Sequence, residues 1–168
     1  AIRFNESKVR AMGRSAAGVS GMKLDGDGDH IVGLVTVDPN DPNTTILVIS
    51  EKGNGKRSSL EDYRITNRSG KGVKTLQISE KTGPTVAIKS ATEEDDLLIT
   101  TSEGIFIRMK VSTIRVSGRA TQGVKVIKLD GKDSIADVAV VGGSIEEENE
   151  VENDQENDSI IVLPSDAI

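Results

Sequence analysis

The sequence contains no cysteine and no tryptophan, a single histidine, four prolines and only three aromatic residues, Phe4, Tyr63 and Phe106. Without cysteine there are no disulfides and no thiolate metal sites, a composition suited to a reducing compartment, and the expected location is cytoplasmic. A Ser-His-Asp arrangement would have to use His30, which sits in an Asp/Gly turn with no Gly-x-Ser-x-Gly elbow in the chain. Tyr63 stands where equivalent positions hold Val9 and Ile114, as shown below, so packing rather than nucleophilic chemistry is expected of it. No catalytic residue and no metal ligand is therefore expected. No apolar run approaches the roughly 20 residues that span a bilayer, and no signal-peptide pattern opens the chain. With so few aromatics the core has to be aliphatic, and Val, Ile and Thr supply the β-propensity.

What the sequence does have is a repeated turn. Gly13-Arg14-Ser-Ala-Ala-Gly18-Val19, Asn67-Arg68-Ser-Gly-Lys-Gly72-Val73 and Gly118-Arg119-Ala-Thr-Gln-Gly123-Val124 each place an Arg four residues before a Gly-Val pair. A strand-like run follows each, over 19–24, 73–78 and 124–129. The second and third glycines lie 54 and 51 residues after the one before, the period of propeller-type blades rather than of helical solenoids. The same frame aligns Phe4 with Ser58 and Met109, Val9 with Tyr63 and Ile114, and Arg10 with Arg64 and Arg115.

The fold expected is therefore all-β, a β-pinwheel or propeller-like array of about three four-stranded blades. Blades are expected at 1–45, lacking its first strand, at 46–96 and at 97–142, with an acidic tail over 143–168. The third repeat is the template, with strands at 97–101, 105–110, 124–129 and 135–141 separated by glycine turns. The second repeat has strands at 46–50, 56–60, 73–79 and 85–91, and the first at 1–4, 19–24 and 31–37. Because Ala1 falls inside a repeat, the chain reads as a piece of a longer one.

Two short motifs resolve into turns. Asp25-Gly-Asp27-Gly-Asp29 begins like a calcium loop, but His30 and Thr36 occupy the positions where that loop requires glycine and glutamate. Gly53-Asn-Gly55-Lys56-Arg57-Ser58 resembles a phosphate loop, but Ser50 replaces its first glycine and Arg57 stands where Ser or Thr must follow Lys.

Charge is segregated along the chain. Its net value of −6 conceals a tail, 143–168, with nine acidic residues and no basic one, so that residues 1–142 carry 21 basic against 18 acidic residues, a net of +3. The windows 3–14, 52–74 and 108–128 hold 17 of the 21 Lys and Arg residues, whereas the remaining turns are acidic. Blocks of like charge are common on solvated surfaces, but threefold recurrence in register predicts one basic band across stacked blades. With almost no aromatics to stack bases and no helix to enter a groove, such a band suits duplex phosphates rather than sequence readout. The expected phosphate contacts are Arg10, Arg14, Lys56, Arg57, Arg64, Arg68, Lys71, Lys74, Arg115, Arg119 and Lys125. The acidic tail, too polar to offset its ordering entropy, is expected to be disordered and to compete with DNA for that band. The apolar Ile160-Ile-Val-Leu163 within it is expected to add as a strand to an open blade edge.

Arg3-Phe4-Asn-Glu-Ser-Lys-Val-Arg10-Ala-Met-Gly-Arg14, Gly55-Lys56-Arg57 and Gly118-Arg119-Ala-Thr-Gln-Gly123-Val124 together resemble the C-terminal domain of the A subunit of bacterial DNA gyrase. The resemblance runs through residues 1–141 and implies the last three blades of a six-bladed β-pinwheel whose outer edge wraps DNA. It implies as partners duplex DNA, the remaining domains of gyrase A and the ATPase subunit, with no membrane. It places ATP and Mg²⁺ in other domains of an ATP-dependent type II topoisomerase that introduces negative supercoils, so that no cofactor is expected here. Asn67-Arg68-Ser69-Gly70-Lys71-Gly72 echoes the family's Gln-Arg-Arg-Gly-Gly-Lys-Gly box, which carries Arg68, Gly70, Lys71 and Gly72 over as DNA contacts. Two alternatives stand beside this: the related subunit of topoisomerase IV, and a propeller used as a protein-docking platform.

Overall fold

The computed structural model describes residues 1–142, and the expectations for the acidic tail and for Ile160-Ile-Val-Leu163 lie outside the described residues. Seven strands are present among the described residues: β1 Thr45–Ser50, β2 Asn54–Ser59, β3 Thr85–Ala91, β4 Asp96–Thr101, β5 Phe106–Lys110, β6 Val124–Lys125 and β7 Ile135–Val141. They form two antiparallel sheets, one in the order β3-β1-β2-β6 and one in the order β5-β4-β7. The all-β expectation holds, and no helix of the described residues is long and apolar enough to cross a membrane.

The two sheets meet along β3 and β7, and β1 is an inner strand of the first sheet, buried on both faces. Its run Ile46-Leu-Val-Ile49 has no polar alternation, the pattern of a strand buried on both faces. Leu47 and Ile49 pack with Leu97 and Ile99 of β4 and with Ile135 and Val138 of β7. Ile46 and Val48 pack on the opposite side with Leu60, Tyr63 and Leu76. Each such aliphatic side chain withdrawn from water contributes about 1.5–3 kcal/mol, so one strand stabilises the packing of the repeats on both sides of it.

The strand that follows each turn motif departs from expectation. It does not complete the sheet of its own repeat. β6, from the third repeat, pairs with β2 of the second through Asn54↔Lys125 and Gly55↔Val124. One repeat earlier, Val73 N donates to Ala1 O at 2.7 Å and Ala1 N donates to Val73 O at 2.8 Å. The two pairings are the same pairing, because Ala1 is equivalent to Gly55 and Val73 to Val124 in the repeat frame. The second and third motifs thus each carry their strand onto the preceding repeat, and the ladder is short: beyond Val73 and Lys125 the expected strands 73–79 and 124–129 run as irregular chain.

Handing over a strand requires close backbone approach, and this is what the motif glycine provides. Gly72 and Gly123 have φ of +78° and +77°, and a Cβ on either would strike the carbonyl of Ala1 or of Gly55 respectively. The first repeat forms no ladder of its own, so the expected strands at 1–4, 19–24 and 31–37 are absent apart from a single bridge at Arg3. What they lack is a central strand. β3 and β7 pair only with β1 and β4, and residues 31–37, equivalent to β3, have no such partner among the described residues. Ile31 and Leu34 are accordingly exposed.

Candidate nucleic-acid interface

Each second-strand segment ends in a single 3₁₀ turn, at Glu6–Lys8, Leu60–Asp62 and Val111–Thr113. The first two are capped by side chains, Asn5 Oδ1 accepting from Ser7 N at 2.9 Å and Ser59 Oγ from Glu61 N at 3.3 Å. The residue closing each turn has extended backbone, and in the second and third repeats its side chain, Tyr63 or Ile114, is driven into the core. Tyr63 also hydrogen-bonds its hydroxyl to Thr75 Oγ1 at 2.5 Å, in keeping with the packing role expected of it. Alternation along extended chain then sends the next residue outward. Those next residues are Arg10, Arg64 and Arg115. All three are exposed, and none makes a hydrogen bond or ion pair among the described residues. They are the one expected set that recurs in all three repeats with its charge free.

The other expected contacts divide into two groups. Arg14 and Lys74 are exposed and have no side-chain partner among the described residues, Lys71 is held in an exposed pair with Asp25 at 2.8 Å, and Lys125 donates to Lys52 O at 2.7 Å. The Lys71 hydrogen bond holds the Asp25 carboxyl below the usual carboxylate range. An exposed pair of this kind is weak and screened by salt, so phosphate can displace it.

Arg68, Arg119, Lys56 and Arg57 are committed to the protein instead. Arg68 donates from Nη1 to Ser20 O at 2.9 Å and from Nε to Lys8 O at 3.0 Å, and Arg119 donates to Lys74 O at 3.1 Å. Ser20 and Lys74 are equivalent positions, so the motif Arg of the second and third repeats links its turn to the one before it. Lys56 and Arg57 are buried, which corrects their expected place on the surface. Lys56 Nζ donates to Gly118 O at 2.7 Å, Arg57 Nε donates to Ile114 O at 2.6 Å, and Arg57 pairs with Glu93 at 3.1 Å. The adjacent Ser58 Oγ donates to Ser117 O at 2.9 Å. A polar stretch of β2 is buried because the next repeat lies over it and offers a row of carbonyl acceptors.

Sequence reasoning missed this clasp although the repeat frame contains it. Arg3, equivalent to Arg57, donates to Tyr63 O at 3.2 Å and to Leu60 O at 2.9 Å, and Tyr63 is the equivalent of Ile114. The backbone repeats too: Thr66 N donates to Arg3 O at 2.9 Å and Ser117 N to Arg57 O at 2.8 Å. The signal was an Arg eleven residues before each motif Arg, at 3, 57 and 108.

Burial pushes the Lys56 ammonium down to about 8, with Arg119 adding to the shift and Asp62 opposing it. Between that value and 10.5 the folded chain binds fewer protons at this site than the unfolded chain, so stability rises with pH across the window and carries the full cost of the charge below it. Chemical denaturation of the unmodified chain is expected to show stability rising at this site between pH 8 and pH 10, a rise that Lys56→Met removes. Identical pH profiles for the two proteins would contradict it.

A protein-family model described as "DNA gyrase C-terminal domain, beta-propeller" matches residues 1–38, 44–91 and 95–142, one segment per repeat. The chain belongs to that family. The A subunit of DNA gyrase from Staphylococcus aureus strain MRSA252 is 45% identical over 151 residues, covering 90% of this chain and 17% of the relative. The same protein from strain NCTC 8325 is 44% identical over 147 residues, covering 88% of this chain and 16% of the relative. The chain thus spans about a sixth of the length of these curated relatives. Among solved structures, a DNA gyrase A C-terminal domain aligns with a TM-score of 0.73 at 29% identity, covering 82% of this chain and 45% of the other. The C-terminal domain of a DNA topoisomerase IV aligns with a TM-score of 0.73 at 28% identity, over 83% of this chain and 42% of the other. The fold does not separate the two enzymes. The family match and the identity to gyrase A do, in favour of the gyrase C-terminal domain.

Proposed function

We propose that this chain is a DNA-binding and DNA-wrapping segment, holding duplex DNA by its phosphates along a row of equivalent arginines, Arg10, Arg64 and Arg115. The observation that carries the proposal is that this row alone among the expected contacts recurs in every repeat, exposed and free of protein acceptors among the described residues. Arg14, Lys71, Lys74 and Lys125 flank it. Lys56 and Arg57 are not part of the interface, and Arg68 and Arg119 serve it by fixing one turn against the next. In the whole enzyme, wrapping by this segment supports negative supercoiling by an ATP-dependent type II topoisomerase in the cytoplasm, and its partners there are the ATPase subunit and the rest of gyrase A. ATP and Mg²⁺ act in those other parts, and this segment needs no cofactor.

Contacts of this kind neutralise phosphates and release counterions. With about six phosphates engaged, the logarithm of the binding constant is expected to fall with the logarithm of salt concentration with a slope of about −5. Fluorescence anisotropy on unrelated duplexes of equal length is expected to give the same affinity for each. A salt-independent affinity, or no binding at low salt, would turn the assignment toward a docking platform for proteins.

A further inference from the structure

At the joint between the first and second repeats the fold sets a carboxylate against the motif loop. Residues 20–23 are clamped to the second turn motif: Ser69 N donates to Gly21 O at 2.7 Å, Lys23 N donates to Gly70 O at 2.9 Å, and Ser69 Oγ and Arg68 Nη1 both donate to Ser20 O, at 2.8 and 2.9 Å. The chain then turns through Asp25-Gly-Asp27-Gly-Asp29, with Gly26 and Gly28 at φ of +88° and +89° and Asp25 N donating to Asp29 Oδ2 at 2.9 Å. The backbone thus holds Asp25 beside the next motif residue, Lys71, whose Nζ lies 2.8 Å from each carboxylate oxygen. Among the described residues the Asp25 carboxylate has no other side-chain partner.

The next joint keeps this backbone and drops the charges. Gln77 N donates to Thr121 O at 3.1 Å, as Lys23 N does to Gly70 O, so that Asp25 is equivalent to Ser79 and Lys71 to Gln122. The ion pair is therefore an addition to the joint and not what holds it. Its two side chains are 68% and 60% exposed, and a pair so placed contributes little to stability. Its consequence falls on the basic band instead. Arg68 is committed to protein carbonyls, which leaves Lys71 as the cation of the second motif able to reach a phosphate, and a carboxylate already stands in that place.

We infer that Asp25 is a built-in competitor of DNA at this joint, an intramolecular stand-in for phosphate that keeps Lys71 out of the interface until the pair opens. The inference rests on the DNA-binding reading given above. Counterions distinguish such a competitor from a general weakening of the band. A free lysine that meets a phosphate releases about one condensed counterion. Lys71 can meet one only by leaving Asp25, and the bared carboxylate beside the phosphates then gathers a cation in its turn, so the exchange releases almost none. The pair thus removes about one unit of salt dependence together with some affinity. The loss of affinity is largest at low salt, where the pair is least screened.

The test is fluorescence anisotropy of one labelled DNA duplex with the full chain and its variants across a salt series. Asp25→Asn is expected to raise affinity about fivefold at about 50 mM salt and by less than about twofold at about 200 mM, with a salt slope steeper by about 1. Asp27→Asn removes the same charge from the same turn without touching the pair. It is expected to raise affinity by less than about twofold and to leave the slope unchanged. In a double-mutant cycle, Lys71→Gln is expected to lower affinity about 1.5-fold in the unmodified chain and about fivefold in the Asp25→Asn chain. An Asp25→Asn effect no larger than that of Asp27→Asn overturns the inference and reduces Asp25 to background charge. A fall in affinity with Asp25→Asn also overturns it and makes Asp25 a residue that aims Lys71 at DNA, and an additive cycle overturns it by separating the two side chains. These three results leave DNA binding standing, whereas failure of every one of these proteins to bind the duplex at low salt removes the proposed function and the competitor with it.

Discussion

Replacing Arg64 and Arg115 together by glutamate is expected to lower affinity for duplex DNA about 100-fold at low salt, and by a similar factor on every sequence. Both side chains are exposed without protein partners among the described residues, so their reversal removes two attractive charges and adds two repulsive ones without opening the core. If each contacts one phosphate, the salt slope becomes shallower by about 2. That second readout distinguishes loss of contacts from a general loss of folded protein, which lowers the apparent active fraction but leaves the slope unchanged. The same reversal at Arg57 is a different experiment. Its guanidinium is buried with Ile114 O and Glu93 as partners, and a carboxylate there is expected to unfold the joint rather than merely weaken DNA binding. An unchanged salt slope in the Arg64 and Arg115 double variant would remove this row from the interface.

Finding the repeat made the first, second and fourth strands of the second and third repeats legible. Residues 46–50 and 97–101 read as buried strands because their aliphatic runs have no polar face, and the hairpins followed from glycine turns. The strand transfer was not legible. Gly55 and Val124 pair across a separation that no local pattern marks, and the period of a repeat is the same whether its third strand stays at home or crosses to a neighbour. That single ambiguity accounts for the misplaced cations. Gly55-Lys56-Arg57-Ser58 looks like a solvated edge when β2 is taken as its repeat's own outer strand, and becomes an interior once the next repeat lies over it. Arg10, Arg64 and Arg115 were found by the frame itself, because they recur at one position of it, and in the second and third repeats that position follows a buried turn-closing residue. Arg3, Arg57 and Arg108 recur just as regularly. Recurrence marks a constrained position, and only the acceptors, Tyr63 O and Ile114 O, show that this constraint is structural.

Gly123→Ala is the substitution expected to damage the fold most for its size. At φ +77° a side chain costs about 1–2 kcal/mol in the backbone alone. The new methyl group would also be placed against the Gly55 carbonyl, an atom held by the β1–β2 ladder and unable to give way as a side-chain tip could. Relief requires β6 to leave β2, which breaks the Asn54↔Lys125 and Gly55↔Val124 pairing and exposes the carbonyl-lined bed of Lys56 and Ser58. Each buried hydrogen bond lost there costs about 1 kcal/mol, so the whole effect is expected to exceed about 3 kcal/mol, a large fraction of a typical domain stability of about 5–15 kcal/mol. For a chain of this size that lowers the melting temperature by about 10 °C. Gly72→Ala is expected to act in the same way at the Ala1 joint. Gly118→Ala, five residues away with ordinary φ and nothing within 4 Å, is expected to shift stability by less than about 0.5 kcal/mol. Thermal melts of the three variants separate the two sources of cost. If Gly123→Ala melts with Gly118→Ala, the glycine is a turn preference alone and close approach between repeats is not what holds the blades together.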